Sequence, residues 1–221
     1  MAWSQNPIPR RRSSYGHLSR AFVAAALLAS QSVAIGGPAG LLQVGEASDL
    51  RPLIELELGS VPLTPGRGHD GQVSYAIGLD LIGSEIPDLL DHGAYRYRRI
   101  LYPLIASGFG LLVGKALLFG MIAVTIVSAG IAAGAAAATF VAGGRSEWLT
   151  LVVVLNPGVW LSIRLLTPDM LALALMLVAL LVLVTSIRHP LSALTLSVFA
   201  KTPISQPRLD SRWVLTGGDG D

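Results

Sequence analysis

ALLFGMIAVTIVSAGIAAGAAAATFVA, at residues 116–142, is an uncharged and mostly apolar stretch. It is longer than the roughly 20 residues with which an α-helix crosses the hydrocarbon of a bilayer. Further apolar windows of similar length lie at 21–42, 148–166 and 170–186. Of all residues, 52% are hydrophobic and only 14% are charged. We therefore predict an all-α integral membrane protein with about four to five transmembrane helices.

Four arginines precede the first of these windows, namely Arg10, Arg11, Arg12 and Arg20. The positive-inside bias predicts a cytoplasmic N-terminus over 1–19, a first span over 20–42 and a large extracytoplasmic loop over 43–115. The predicted location of the protein is the plasma membrane. The first half of that loop carries prolines and glycines and is predicted to be irregular or extended. A signal peptide cleaved near Ser32-Val33-Ala34 is the alternative for the first window, and it leaves the loop on the same side.

The apolar run at 100–142 is too long for one span and must be divided. One interpretation places a juxtamembrane helix at 100–113 on the outer surface, with Lys115 at the boundary of the second span. The other interpretation has two spans joined by a hairpin near Lys115. We prefer the first because it leaves the later cations mostly inside. Residues 116–200 then hold transmembrane helices two to five, the last one incomplete, and 201–221 form a polar, disordered tail.

Three local signals refine the later spans. Asn156-Pro157-Gly158 predicts a kink, since proline removes a backbone hydrogen bond. Thr167-Pro168-Asp169 predicts a helix start with Thr167 as the N-cap. Gly130 and Gly134 form a GxxxG pair, which indicates close packing of helices.

Several function classes are excluded or disfavoured. The chain has no cysteine, which excludes thiolate catalysis and cysteine metal sites. Its basic residues form no stripe, so no nucleic-acid partner is predicted. His69 beside Asp70 suggests a metal site, but His17, His92 and His189 show no spacing for a shared one, and we predict no metal. No serine lies in a nucleophile-elbow pattern.

Asp70 is the candidate base within the loop segment HDGQVSYAIGLD, residues 69–80. A carboxylate at the membrane surface could take a proton from an attacking hydroxyl, provided that bulk water is excluded. The competing interpretation is structural: Asp70-Gly71 is a very common turn pair, and composition alone favours a turn.

A second candidate cluster follows in AYRYRRILYPLI, residues 94–105. Arg96, Arg98 and Arg99 alternate with three tyrosines, and a helix would bring Tyr95, Arg99 and Tyr102 to one face. Guanidinium groups beside a bilayer suit the phosphate of a lipid headgroup. Interfacial anchoring by arginine and tyrosine is the alternative explanation.

These motifs resemble those of polytopic glycosyltransferases of the GT-C superfamily, particularly bacterial mannosyltransferase-like members of the cell-surface glycopolymer type. In that group an anchor helix precedes a DGQ-type loop motif and a YRYQRILYPLL-type segment. The matching residues here are Asp70-Gly71-Gln72 with Tyr75, the segment from Tyr95 to Leu104, and LLTPDMLALAL at 165–175. The resemblance covers roughly residues 20–200.

The resemblance implies a membrane enzyme that moves a sugar from a polyprenyl-phosphate donor to an extracytoplasmic acceptor, with inversion. Asp70 would act as general base, and Arg96 or Arg99 would hold the lipid phosphate. Gln72, Tyr75 and Tyr102 would complete the substrate-binding set. No cofactor is implied, because the lipid-linked sugar is a co-substrate. The expected partners are therefore membrane lipid and the polyprenyl-phosphate sugar.

Members of that group have more spans than are predicted here, so the resemblance leads us to expect a truncated or frame-shifted product. Two other classes compete with the enzyme. A non-catalytic membrane assembly or scaffold protein, including an inactive truncated product, would tolerate changes at the loop arginines. A transporter fragment would need ionisable residues within its spans, and the predicted spans have almost none away from their ends.

Overall fold

The computed structural model describes residues 37–188, without the side chain of the last, and the protein is mostly helical there. The predicted cytoplasmic N-terminus, most of the first predicted span and everything beyond residue 188 lie outside the described residues. One compact unit ends at Thr185, and only residues 186–188 of a second unit are described.

The α-helices are α1 (Arg51–Leu58), α2 (Asp70–Leu79), α3 (Gly93–Arg96), α4 (Leu101–Ala106), α5 (Gly114–Ala142), α6 (Thr150–Val154), α7 (Pro157–Arg164) and α8 (Asp169–Arg188). Short 3-10 helices lie between them at Pro38–Leu42, Ile86–Leu89, Tyr97–Arg99 and Glu147–Leu149. Strands β1 (Val44–Gly45) and β2 (Leu63–Thr64) pair in parallel.

Within the described residues, α5 and α8 are the helices long and apolar enough to cross a membrane. Half of the most apolar part of α5 is buried inside the protein, whereas only 17% of that part of α8 is buried. A helix whose leucines and valines are mostly exposed is suited to lipid on several sides. The coarse prediction of a mostly helical chain with helices able to span a membrane therefore holds, and the count of four to five spans stays a prediction.

The predicted span at 148–166 is not one helix. It divides into α6 and α7, of five and eight residues, at the predicted kink. Pro157 has no N–H to continue the helix, and the side chain of Asn156 accepts a 2.8 Å hydrogen bond from the Gly158 amide, which caps a new helix instead. The sequence signal was correct, but its effect is a break rather than a bend.

Residues 37–113, here called the head, fold around an apolar core. Its buried residues in the head are Leu41, Leu42, Val44, Leu50, Ile54, Val61, Tyr75, Ala76, Ile86, Tyr102 and Ala106. The same core also contains Leu117, Leu118 and Met121 from α5, and Leu166 from the chain before α8. The head is thus closed by residues that come later in the sequence.

Helix α5 contributes to a second core further along its length. Its alanines at 129, 132, 135 and 136 pack with Ile163 of α7 and with Met170, Ala174 and Leu177 of α8. Gly130 and Gly134 are buried on the same helix. Small side chains let helix backbones approach closely. The alanines of α5 form such a contact, while close packing at the GxxxG pair itself stays a prediction.

The structure corrects three predictions for the first loop. Residues 37–42, assigned to the first span, form a turn and a 3-10 helix that buries Leu41 and Leu42 in the head. The part predicted as irregular contains α1, because Pro52 lies in the first turn, where no amide is needed. The juxtamembrane helix predicted at 100–113 ends at Ala106, since glycines with positive φ follow at 108 and 110.

Two further points concern the ends of α5 and α8. Helix α4 has six residues and is about 9 Å long, too short to cross a bilayer, so the hairpin of two spans near Lys115 is not formed.

Thr167 does not act as an N-cap, because its buried hydroxyl has no hydrogen-bond partner. Helix α8 begins two residues later, at Asp169.

Candidate functional site

The N-terminus of α2 carries the first candidate residue. Strand β1 positions it: Val44 bridges to Gly68, and the His69 amide donates a 3.1 Å hydrogen bond to the Gln43 carbonyl. The chain then enters α2 with Asp70 as its first residue. A carboxylate there faces the positive end of the helix dipole.

Asp70 and Gly71 are both helical, so the interpretation of this pair as a turn is wrong. Gly71 is needed for packing instead. A Cβ on Gly71 would collide with the carbonyl oxygen of Leu165, and it would lie 3.1 Å from that of Leu42. The glycine therefore allows the chain before α8 to pass directly over the start of α2, next to Asp70.

Arg96 connects two carboxylates. Its Nη1 donates a 2.7 Å hydrogen bond to Oδ1 of Asp70. Its Nε and Nη2 each donate a 3.2 Å hydrogen bond to the carboxylate of Asp91. This two-point contact fixes the plane of the guanidinium group, so that its third nitrogen points to Asp70.

Arg99 is held more loosely. Its Nη1 lies 3.6 Å from Oδ2 of Asp70, and its side chain is 42% exposed. Nη2 donates a 3.3 Å hydrogen bond to the Tyr95 hydroxyl, and the guanidinium carbon is 5.7 Å from the centre of that ring. The predicted shared face of Tyr95, Arg99 and Tyr102 therefore holds for Tyr95 and Arg99 but not for Tyr102, which is buried against α5. Arg98 is exposed and lies outside this cluster.

Arg96 and Asp91 stabilise each other's charged form. The hydrogen bond from Arg96 lowers the pKa of Asp91, and the same contact raises the pKa of Arg96. Sequence reasoning did not single out Asp91. The contact depends on His92, whose left-handed backbone (φ 56°) turns the chain between the two residues, and helix spacing rules do not describe such a pair.

Gln72 lies beneath the cluster and is 3% exposed. Its Oε1 accepts a 3.2 Å hydrogen bond from the Gly45 amide, and its Nε2 donates to the Arg67 carbonyl. Both polar ends of the side chain are therefore engaged with backbone, where they fix β1 to α2. The contact of Gln72 with a sugar stays a prediction. In the structure its side chain holds β1 against α2.

Two tyrosines of the predicted substrate set are buried. Tyr75 is fully buried in the head core, its hydroxyl has no hydrogen-bond partner, and burial raises its pKa. Tyr102 is 1% exposed, and its hydroxyl contacts the Met121 carbonyl at 3.2 Å and the Thr125 hydroxyl at 2.9 Å. Tyr102 thus joins α4 to α5 and does not face the cluster of Asp70, Arg96 and Arg99.

Asp70 and Arg96 line two recesses. One is a polar cleft of about 150 Å³, open to solvent, whose wall also includes Ser48, Asp49, Arg67, His69 and Asp91. The other is a narrow groove, also lined by Arg99, Val73, Ile77, Pro103 and Pro168. A hydrophilic space and an apolar groove with a cationic end therefore meet at one carboxylate.

His69 is exposed at the edge of the polar cleft. Across residues 37–188, no three histidine, aspartate or glutamate side chains come together as a metal site. The hydrogen bonds around Asp70 come from a guanidinium group instead. The prediction that no metal takes part remains untested.

No protein-family model, curated protein or solved structure matches this chain.

Proposed function

We propose that this protein is a membrane glycosyltransferase of the GT-C type. It transfers a sugar from a polyprenyl-phosphate donor to an extracytoplasmic acceptor at the plasma membrane, with its N-terminus in the cytoplasm. One observation carries the proposal: Asp70 lies within contact of Arg96 and Arg99, 26 and more residues away in sequence. The resemblance of their two motifs to that group and the apolar helices α5 and α8 also support it.

Asp70 is the proposed general base. Its side chain is 36% exposed, so a hydroxyl can approach the lone pairs that the arginines leave free. The carboxylate takes the proton of the acceptor hydroxyl as the oxygen attacks the anomeric carbon. The bond from that carbon to the phosphate oxygen breaks, and its electron pair leaves with the polyprenyl phosphate. The sugar is then joined to the acceptor with inverted configuration.

The proposal gives the two arginines different roles. The phosphate gains one negative charge as it leaves, so a cation beside it stabilises the transition state more than the bound donor. Arg99 suits this role, because it is exposed and holds Asp70 only at 3.6 Å. Arg96 is committed to Asp70 and Asp91, and we assign it to positioning the base.

The two recesses around Asp70 suit two different substrates. The polar cleft suits a hydroxylated acceptor. The groove between Val73, Ile77, Pro103 and Pro168 has a volume of only about 10 Å³, room for a single water, so we place the prenyl chain along its mouth beside Arg99 and not inside it. An inverting displacement requires acceptor and leaving group on opposite faces of the sugar. We place the acceptor in the polar cleft and the phosphate beside Arg99, both of which border Asp70.

The test is sugar transfer by the purified protein in lipid nanodiscs, assayed with a panel of polyprenyl-phosphate sugars and simple glycoside acceptors. Asp70→Asn should lower the rate about a hundredfold or more, which is the usual contribution of a general base. Arg99→Gln should weaken binding of polyprenyl phosphate about tenfold. Asp88→Asn, an exposed carboxylate elsewhere in the head, is the matched control and should retain full activity. Full activity of Asp70→Asn would remove this residue from the mechanism.

Sidedness can be tested separately, because the chain has no cysteine. Single cysteines at Arg67 and Arg145, both exposed, should react with an impermeant maleimide from opposite sides of the membrane, the first from outside. Arg67 is preferred to its neighbour Gly68, where a Cβ would collide with the Gly45 amide. Labelling of position 67 from the cytoplasmic side would place the cluster away from an extracytoplasmic donor.

A non-catalytic membrane assembly protein is the second candidate. It is favoured by the fact that Asp70, Arg96 and Asp91 satisfy one another as an ion-pair network, which a purely structural role would also produce. In that case Asp70→Asn and Arg96→Gln would lower stability to a similar degree, and no donor in the panel would bind. Donor binding that depends on Arg99 would exclude this candidate.

A further inference from the structure

The loop between α4 and α5 presents apolar side chains to its surroundings. Phe109 is 74% exposed, Leu111 is 85% exposed and Val113 is 60% exposed. These three residues are here called the apolar tip. Leu112, which lies between two of them, is 36% exposed. Single exposed apolar residues are common, but several in one short loop usually mark a binding surface.

The loop is a built structure. Ser107 is fully buried, and its carbonyl accepts a 2.8 Å hydrogen bond from the Leu112 amide. Its hydroxyl accepts from the Gly110 amide at 3.1 Å and donates to the Leu104 carbonyl at 3.1 Å. The hydrogen bonds thus fold the loop back on the end of α4.

This folding satisfies most of the loop's amides internally. In addition to Gly110 and Leu112, the amides of Gly108 and Phe109 donate to carbonyls of α4, at 3.0 and 2.9 Å. Unpaired backbone groups are the main cost of moving irregular chain out of water. A loop whose amides are already paired can enter a less polar medium at much lower cost.

The backbone holds the tip outward. Gly108, Phe109 and Gly110 all have positive φ, of 58°, 61° and 88°, which for phenylalanine is strained. The side chain of Leu112 is less exposed, at 36%, and it lies where a Cβ on Gly108 or Gly120 would touch it. Phe109 remains 74% exposed in this strained conformation.

Charge and length indicate what covers the tip. Between residues 100 and 144 the only charged residue is Lys115, exposed just after the tip. Apolar exposure continues from there along α5, with Phe119 at 56% and Val127 at 49%. The 29 residues of α5 extend about 43 Å, which matches a bilayer with its headgroup regions, so the first turn of α5 belongs at headgroup level.

We propose that the apolar tip inserts into the interfacial region of the lipid bilayer and holds the head against the membrane surface. Phe109, Leu111 and Val113 enter the boundary between headgroups and acyl chains, and Lys115 extends its ammonium group to lipid phosphates. The inference rests on the chain being embedded by α5 and not on any transferase activity. It replaces the surface helix expected at 100–113 with a short hydrogen-bonded loop.

The experiment uses the full chain in vesicles of phosphatidylcholine and phosphatidylglycerol. Single cysteines replace Leu111, Val113 or, as the aqueous control, the exposed Glu46 of the head, and each carries an environment-sensitive fluorophore. Doxyl-labelled lipids quench probes within the bilayer, and iodide quenches probes in water. The unlabelled variants are first checked for the same helical content as the parent chain.

We expect the probes at Leu111 and Val113 to emit at shorter wavelength, to lose most of their fluorescence to doxyl lipids and to resist iodide, with the reverse at Glu46. Iodide quenching at Leu111 and Val113 equal to that at Glu46 would overturn the proposal. Protection from both quenchers would also overturn it, since that pattern means that a second protein surface covers the tip. Either result leaves the role of Asp70 untouched, because no transfer is measured.

Discussion

Nη1 of Arg96 and Oδ1 of Asp70 lie 2.7 Å apart, although 26 residues separate them in sequence. The contact joins the start of α2 to the end of α3, and Asp91 holds the same guanidinium group from the other side. Each carboxylate is therefore placed relative to the other by one cation between them.

The strength of this contact can be measured with a double-mutant cycle on Asp70→Asn and Arg96→Gln. We expect a coupling free energy of about 1 kcal/mol or more, because the pair is charge-assisted, short and only partly exposed. The control cycle uses Arg51 and Glu55, an i,i+4 pair on α1, for which about 0.3–0.5 kcal/mol is expected. Thermal unfolding in detergent gives both values, and equal couplings would show that the cluster is an ordinary surface ion pair.

Gly71→Ala should destabilise the protein by about 1–3 kcal/mol, since the new Cβ forces the chain at Leu165 away from α2. Gly78→Ala is the matched control on the same helix. There the nearest atoms are the Leu117 methyl groups at 3.0 Å, which can turn aside, and alanine also favours the helix. The difference between the two melting temperatures is the measurement. A Gly71→Ala protein as stable as the parent would contradict the close approach.

Tyr102→Phe should cost about 1 kcal/mol of stability, at the low end for a buried hydrogen bond. The cost is small because Thr125 can turn its hydroxyl to the Met121 carbonyl, one helical turn before it. Donor binding should not change, since Tyr102 is buried against α5. A loss of binding with unchanged stability would return Tyr102 to the substrate-binding set.

The loop that follows Asp80 should lose stability at low pH. Burial of its carboxylate raises its pKa, but hydrogen bonds from the amides of residues 84–86 outweigh this and hold the pKa far below its usual range. The folded pKa is thus lower than the unfolded value of about 3.9, so the stabilisation is present at neutral pH and is lost as the pH falls below about 4.

Amide hydrogen exchange of residues 83–86 tests this. In the parent chain, protection relative to the rest of the head should fall as the pH is lowered below about 4. Asp80→Asn should weaken protection already at pH 7 and flatten its pH dependence, whereas Asp88→Asn should behave like the parent. Protection that is independent of Asp80 would show that other contacts hold the loop, such as the 2.7 Å hydrogen bond from the Tyr97 hydroxyl to the Asp80 carbonyl.

The sequence identified the helical, apolar character of the chain and brought Asp70, Arg96 and Arg99 to attention together. Composition and motif were sufficient for this, because charges beside apolar windows are rare. It could not predict that Gln72 and Tyr102 face inward. Both side chains have polar tips on larger bodies, and only the packing of β1 and α5 decides which way they turn.

The sequence also could not predict where the helices begin and end. Hydropathy does not distinguish one kinked span from two short helices, and the side-chain cap provided by Asn156 decides that point. The segment after Ala106 was predicted as helix because it is apolar, yet its paired glycines at 108 and 110 favour the turn that forms the apolar tip. In both places local hydrogen bonds determined the outcome where average hydrophobicity could not.

Because Leu117, Leu118, Met121 and Leu166 complete the head core, the head cannot finish folding when it first leaves the ribosome. Its own residues are synthesised first and must wait for the helices that follow them. We therefore expect Asp70, Arg96 and Asp91 to take up their final arrangement only after α5 and Leu166 have been synthesised. A chain stalled before residue 166 would leave part of the apolar core of the head uncovered.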